Sequence, residues 1–107
     1  VKRLIKEKAV DVINIKFMKT GILEAWEIAK LARRNRIKLM IGTMMETALA
    51  TTAAAHFAAG LGGFDFIDLD APLFVDQKIT RGFHPSAGGV YNLRKLRAGI
   101  GVTPLRP

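Results

Sequence analysis

The chain has 107 residues, half of them hydrophobic, and carries a formal net charge of +8 at pH 7. This length predicts one domain or part of one, and no apolar run is long enough to cross a membrane. Because cysteine is absent, disulfides and thiolate zinc sites are excluded, and we expect a cytoplasmic, reducing location.

The first predicted strand follows the end of a helix at residues 2–8. Residues 10–16 alternate in character, with Ile13 and Ile15 on one face and a mixed set that ends in Lys16 on the other. An apolar outer face that helices cover, together with a mixed inner face, is typical of a strand in a parallel barrel.

Helices and strands continue to alternate after a turn at residues 17–21. Hydrophobic spacing predicts helix 22–35, strand 37–42, helix 46–59 and strand 64–70. We expect Trp26 on the buried face of the first of these helices. Gly60 is expected to end the second helix in the left-handed conformation.

This alternation predicts an α/β fold built from right-handed parallel units. Residues 1–72 are expected to form part of a β/α barrel, with a helix end, three strands and two helices. A complete barrel usually takes about 250 residues, so we expect the chain to be a piece of a longer protein. Residues 73–107, with scattered Gly, Pro and basic residues, are predicted to be a C-terminal exit segment that packs on the barrel or on a capping domain.

Charged side chains follow two of the predicted strands. Lys16 ends the first, while Asp68 and Asp70 end the third, where an extended strand would point both acids the same way, roughly 7 Å apart. Two adjacent carboxylates can bind a cation, such as a substrate ammonium group or a metal. They could instead mark a strand end that enters a turn, where Asp is common. A lysine and paired carboxylates at strand ends predict an active site at one edge of the sheet.

Several stretches of the sequence resemble the enolase superfamily, most closely its muconate-lactonizing subgroup and, within it, the dipeptide epimerases of the L-Ala-D/L-Glu type. The similar stretches are residues 14–21, 42–47, 52–59, 66–73 and the closing 99–102. The resemblance implies a TIM-type barrel, of which this chain would form strands six to eight and the exit segment.

The resemblance also implies roles for individual residues. Lys16 matches the acid/base lysine of the sixth strand, which exchanges a proton at the carbon next to a carboxylate. Asp68 and Asp70 match the Asp-x-Asp motif that holds the α-ammonium group of a dipeptide. The segment that lines the pocket in the family is matched by Gly42, Thr43 and Met44.

Other parts of the family's active site have no counterpart in this sequence. The resemblance implies Mg²⁺ as the cofactor, but its acidic ligands on strands three to five are missing, as is the second catalytic lysine. We therefore expect no metal ligand here and an inactive fragment, belonging to a full-length homo-oligomeric isomerase with a dipeptide or another small carboxylate as substrate. A muconate cycloisomerase or an o-succinylbenzoate synthase-like enzyme is an alternative, because either would use the same lysine without an ammonium site.

A non-catalytic basic fragment that binds nucleic acid is a second alternative. Basic residues cluster at positions 2–8, 30–38 and 94–97, which permits such a surface. Few aromatic residues lie among them, and a run of charge is usually a solvated surface. We therefore expect no specific nucleic-acid partner.

Overall fold

A computed structural model describes residues 1–75, 79–82, 85–86, 88–96 and 98–105. The helices are Lys2–Lys6 (α1), Phe17–Arg34 (α2) and Ala48–Leu61 (α3). The strands are Val12–Ile15 (β1), Lys38–Gly42 (β2), Phe66–Asp68 (β3), Thr80–Gly82 (β4) and Val102–Pro104 (β5), and short 3₁₀ turns lie at Ala71–Leu73 and Leu93–Lys95. None of the helices in these ranges has the length and apolar character needed to cross a membrane.

Strands β1, β2 and β3 form one parallel sheet in that order. The register aligns Ile15 with Ile41 and Ile41 with Ile67. The carboxyl ends of all three strands therefore lie at the same edge of the sheet, as the sequence predicts, and Lys16 and Asp68 both lie at that edge.

The two faces of this sheet differ in burial. Ile13, Ile15, Leu39 and Ile41 are buried beneath the small residues of α2 and α3. The opposite face exposes Asn14 and Phe66, the latter with 47% of its surface accessible. The predicted combination of an apolar outer face and a mixed inner face is confirmed.

Helix α2 is interrupted at Gly21, whose φ of 68° lies in the left-handed region that favours glycine. The helix packs on the sheet through Ala25, Ala29 and Ala32, which are fully buried. The prediction that Trp26 is buried is wrong: 49% of its surface is accessible, and the Lys30 Nζ atom lies 5.3 Å from its ring centroid. Alanines occupy the buried stripe of α2, and the indole lies outside it.

Helix α3 begins and ends two residues later than predicted. Thr47 caps its N-terminus, since its side chain accepts a hydrogen bond from the Ala50 N–H. Gly60 lies inside the helix, and the left-handed residue is Gly62, with a φ of 64°. Arg33 of α2 donates to the carbonyls of Leu61 and Gly62. This contact with a distant arginine satisfies carbonyls at the helix end and adds to the local effect of Gly62.

Strand β3 is shorter than predicted. Asp65 fixes its start, because its backbone N–H donates to the Leu39 carbonyl at 2.8 Å and its carboxylate accepts from the Leu39 N–H at 2.9 Å. The strand ends at Asp68, and Asp70 has helical backbone angles (φ −89°, ψ −12°) before the 3₁₀ turn that contains Pro72. The extended geometry predicted through Asp70 is therefore wrong.

The chain beyond β3 forms a small second sheet and packs against the core of the first. Strands β4 and β5 pair in antiparallel fashion. Tyr91 and Leu93 pack against the core cluster that contains Ile41 and Leu69. Part of the predicted exit segment is thus held against the helix-covered side of the sheet.

Candidate active site

Lys16 is held at the junction of β1 and α2. Its backbone is still extended (φ −133°, ψ 119°), and its carbonyl accepts from the Lys19 N–H at 2.9 Å. The next residue, Phe17, packs edge-on against Phe57, with ring centroids 5.1 Å apart. An anchored neighbour fixes the backbone of Lys16 and leaves its side chain to extend over the edge of the sheet.

Hydrogen bonds connect the ends of the three parallel strands. The Lys16 Nζ donates to the Thr43 carbonyl at 2.9 Å. The Thr43 N–H donates in turn to the Asp68 carbonyl at 3.2 Å. The structure thus brings the predicted residues Lys16, Thr43 and Asp68 to one edge, where an amine and a carboxylate could move a proton and bind a cation.

Gly42 leaves room for the Lys16 side chain. It is paired with Asp68 in the sheet. A Cβ atom at this position would lie 3.0 Å from the Asn14 Oδ1 and 3.4 Å from the Lys16 Cε. Any larger residue would therefore press on the side chains that cross this part of the sheet.

The loop after Gly42 buries polar atoms. Thr43 and Glu46 are buried, whereas Met44 is exposed. The Glu46 Oε1 accepts from the Met44 N–H at 3.4 Å, while its Oε2 and the Thr43 Oγ1 have no hydrogen-bond partner among the described residues. A buried carboxylate oxygen without such a partner is unusual enough to mark Glu46 as a candidate site residue.

Asp68 and Asp70 border one cavity despite the turn between them. This cavity, of about 170 Å³, is also lined by Leu73 and Tyr91. Asp68 reaches it from the end of β3 and Asp70 from the following turn. The two residues therefore line a common cavity, but they are not neighbours on one strand face as the sequence predicts, because Asp70 lies in the turn.

Tyr91 is a polar residue of this region that the sequence analysis did not identify. Its hydroxyl donates to the Leu69 carbonyl at 2.8 Å. Burial and the nearby Asp70 carboxylate raise the pKa of Tyr91 to about 12. Tyr91 and Leu69 are 22 residues apart in a stretch without periodicity, so no local signal connects them.

The sequence profile described as "Enolase C-terminal domain-like" matches residues 1–106. The chain belongs to this enolase family. The predicted membership of the enolase superfamily is confirmed, and the parallel α/β architecture is consistent with the C-terminal barrel domain of that family.

Curated relatives of this enolase-family chain are named as dipeptide epimerases. The "Hydrophobic dipeptide epimerase" of Citrifermentans bemidjiense is 48% identical over 103 residues, which are 96% of this chain and 28% of the relative. The "L-Ala-D/L-Glu epimerase" of Thermotoga maritima is 48% identical over 82 residues, 77% of this chain and 24% of the relative. The predicted likeness to dipeptide epimerases is confirmed, and the chain spans about a quarter of the length of these relatives.

The chain is also similar to solved structures of mandelate racemase/muconate lactonizing enzymes and of dipeptide epimerases. A mandelate racemase/muconate lactonizing enzyme from Roseiflexus sp. matches with a TM-score of 0.89 and 51% identity, over 96% of this chain and 30% of that one. A dipeptide epimerase from Enterococcus faecalis, complexed with Mg and the dipeptide L-Leu-L-Tyr, matches with a TM-score of 0.71 and 43% identity, over 75% and 23%.

The described part of this enolase-family chain does not offer a complete metal site. Within it, no group of three or more His, Cys, Asp or Glu side chains is arranged to hold a metal ion. Mg²⁺ prefers octahedral oxygen coordination, and Asp68 and Asp70 are only two acids on a small cavity. These residues alone therefore do not fit Mg²⁺.

Proposed function

We propose that the chain is the C-terminal part of a Mg²⁺-dependent dipeptide epimerase and supplies strands six to eight of its TIM-type barrel. One observation carries the proposal: the Lys16 Nζ lies at the Thr43 carbonyl, on the same sheet edge as Asp68 and Asp70. In TIM barrels, active sites lie at the carboxyl ends of the strands. The exposed mixed face with Asn14 and Phe66 supports a barrel interior.

Lys16 would move the proton at the α-carbon of the substrate's C-terminal residue. In its amine form, the Nζ atom accepts this proton as the C–H bond breaks, and the electron pair is delocalised into the adjacent carboxylate. A proton delivered to the opposite face of the carbon then gives the epimer. The Thr43 carbonyl, 2.9 Å from the Nζ atom, orients the amine.

Asp68 and Asp70 would bind the N-terminal ammonium group of the dipeptide. Charge-assisted hydrogen bonds between carboxylates and an ammonium group are short and strong. Gly42, Thr43 and Met44 would line the pocket between this group and Lys16. The Mg²⁺ ligands and the second proton-transfer base would come from parts of the parent protein outside this chain.

The alternative is a muconate cycloisomerase or an o-succinylbenzoate synthase-like enzyme. Such an enzyme would use Lys16 but would need no ammonium site. The two carboxylates at the end of β3 and in the turn after it favour the epimerase, because only its dipeptide substrate has an ammonium group for them to bind. A cytoplasmic location is proposed on the absence of cysteine.

Nucleic-acid binding has less support from the structure. Basic side chains from two of the three clusters make contacts within the chain. Arg3 pairs with Glu7 at 2.9 Å and Lys30 with Glu27 at 2.6 Å, while Arg33 bonds the end of α3. These contacts leave fewer cations free for phosphate groups.

A dipeptide library tests the proposal on the full-length protein. We expect α-proton exchange in deuterated water, followed by mass spectrometry, for a subset of dipeptides with Mg²⁺ present. N-acetylated versions of the same dipeptides, which lack the ammonium group, are the matched controls and should exchange poorly. Lack of exchange with every dipeptide would contradict the proposal, and turnover of a cycloisomerase or succinylbenzoate-type substrate instead would support the alternative.

A further inference from the structure

The turn that carries Asp70 has few backbone contacts of its own. Strand β3 pairs only with β2 within the described residues, over three positions. Beyond the strand, the Leu73 N–H donates to the Asp70 carbonyl at 2.8 Å. The strand and the Thr43 N–H, which donates to the Asp68 carbonyl, fix the start of the turn, and contacts from more distant residues add to them.

Tyr91 provides such a contact between the two aspartates. Leu69 lies between Asp68 and Asp70, and the Tyr91 hydroxyl bonds its carbonyl at 2.8 Å. The Tyr91 ring packs against the core cluster that contains the buried Leu69. Ring and hydroxyl together hold the main chain of Leu69 from the outer side of the sheet.

We propose that Tyr91 is a positioning residue for substrate binding: it fixes the Leu69 carbonyl and thereby sets the relative orientation of the Asp68 and Asp70 carboxylates. This inference rests on the proposed function, in which these carboxylates bind the ammonium group of a dipeptide. Tyr91 would act through the turn rather than by touching the reacting atoms.

The charges around the turn agree with this role. The cavity that both aspartates share is also lined by Tyr91, and the Asp70 carboxylate helps to keep the phenol protonated. The Tyr91 hydroxyl therefore stays a hydrogen-bond donor throughout the neutral pH range. The contact with the Leu69 carbonyl is available whenever the substrate ammonium group is charged.

Kinetics of the full-length protein test the inference with Tyr91→Phe, which removes the hydroxyl and keeps the ring. We expect the KM for the best dipeptide to rise roughly two- to tenfold, the range for one neutral hydrogen bond, while kcat changes less than twofold. Thr80→Val is the matched control, because it removes a buried hydroxyl that has no hydrogen-bond partner among the described residues. Its KM should not change.

Amide hydrogen exchange gives a second readout that does not depend on turnover. In Tyr91→Phe, a peptide spanning residues 65–75 should exchange faster, while a peptide spanning residues 12–20 keeps its protection. A folded Tyr91→Phe variant with unchanged exchange in residues 65–75, or with an unchanged KM, would overturn the inference. Wild-type protein without activity on any dipeptide would instead contradict the proposed function, and hydrogen exchange would still decide whether Tyr91 fixes the turn.

Discussion

The ends of β1 and β3 are held in different ways. Lys16 directly follows β1, and its two neighbours in sequence, Ile15 and Phe17, pack in the core. Asp70 lies beyond the end of its strand, in a turn that the distant Tyr91 contacts. The proposed proton-transfer group is thus positioned by its own strand–helix unit, whereas the proposed ammonium site also depends on residues that follow the sheet.

The largest effect is expected from the lysine. Lys16→Ala in the full-length protein should reduce α-proton exchange by at least a hundredfold, in line with the contribution of a general acid or base. The fold should persist, because the side chain is at the sheet edge rather than in the core. The measurement is the rate at which the α-proton of the dipeptide exchanges for deuterium in deuterated water.

Lys19→Ala is the control for this variant, since Lys19 is exposed on the first turn of α2. Its activity should be close to that of the wild type. A Lys16→Ala variant with normal exchange would remove Lys16 from the chemistry.

The next effect concerns the two aspartates. Asp70→Asn keeps the shape of the side chain but removes its charge, which should lower kcat/KM for the best dipeptide about tenfold to a hundredfold, and the double variant Asp68→Asn/Asp70→Asn should lose at least as much. A charged hydrogen bond contributes about 1.5–3 kcal/mol, which corresponds to this range. Steady-state kinetics would decide the matter, and an unchanged kcat/KM in the double variant would remove both residues from substrate binding.

A smaller effect is expected from filling the space at Gly42. In Gly42→Ala, the new methyl group would meet Asn14 and Lys16 at 3.0–3.4 Å. We expect a three- to tenfold loss of exchange, roughly 1 kcal/mol, because the Lys16 side chain must shift. Circular dichroism should show an intact fold.

Gly60→Ala is the matched control for Gly42→Ala. Gly60 lies inside α3 with no atom within 4 Å of a new Cβ. Alanine there should leave exchange unchanged and stabilise the helix by up to about 1 kcal/mol. Equal losses of exchange in both variants would show that the Gly42 effect is not local.

The last prediction concerns the stability of the protein at alkaline pH, where Tyr91 at the Asp70 turn loses its proton. The pKa of Tyr91 is raised from 10.0 to about 12 in the folded state, so the folded protein holds this proton more tightly than the unfolded chain does. Its contribution to stability is therefore complete below pH 10 and is lost as the pH rises to 12. Urea unfolding of wild-type protein and Tyr91→Phe should show a steeper loss in the wild type over this interval, and parallel curves would contradict the assignment.

Patterns of short range could be predicted from the sequence. The alternation of Ile13 and Ile15 with polar neighbours identified β1 and its buried face, and parallel strands placed Lys16 and Asp68 at one edge. Contacts between distant residues could not be predicted. One such contact joins Arg33 to the end of α3, which was predicted two residues too early. Another joins Tyr91 to Leu69 in the chain between Asp68 and Asp70, and no pattern in the sequence indicates it.

Burial of single residues was also hard to predict where spacing was ambiguous. Trp26 fits the apolar side of α2 by helical spacing, yet alanines occupy the contact with the sheet. Glu46 resembles an ordinary acid before a helix, yet only 4% of its surface is accessible. In both cases burial depends on which neighbouring elements pack around the residue, and sequence spacing does not contain that information.

The double contact between Asp65 and Leu39 has a consequence for how the sheet assembles. A strand that slips by one residue turns every side chain to the other face, and β3, with its three residues, has little pairing of its own to prevent this. Asp65 bonds both the N–H and the carbonyl of Leu39, so a slipped pairing would break two bonds at once. Asp65, directly before the strand, therefore stabilises the native register, because in a slipped sheet Asp68 would face the helices.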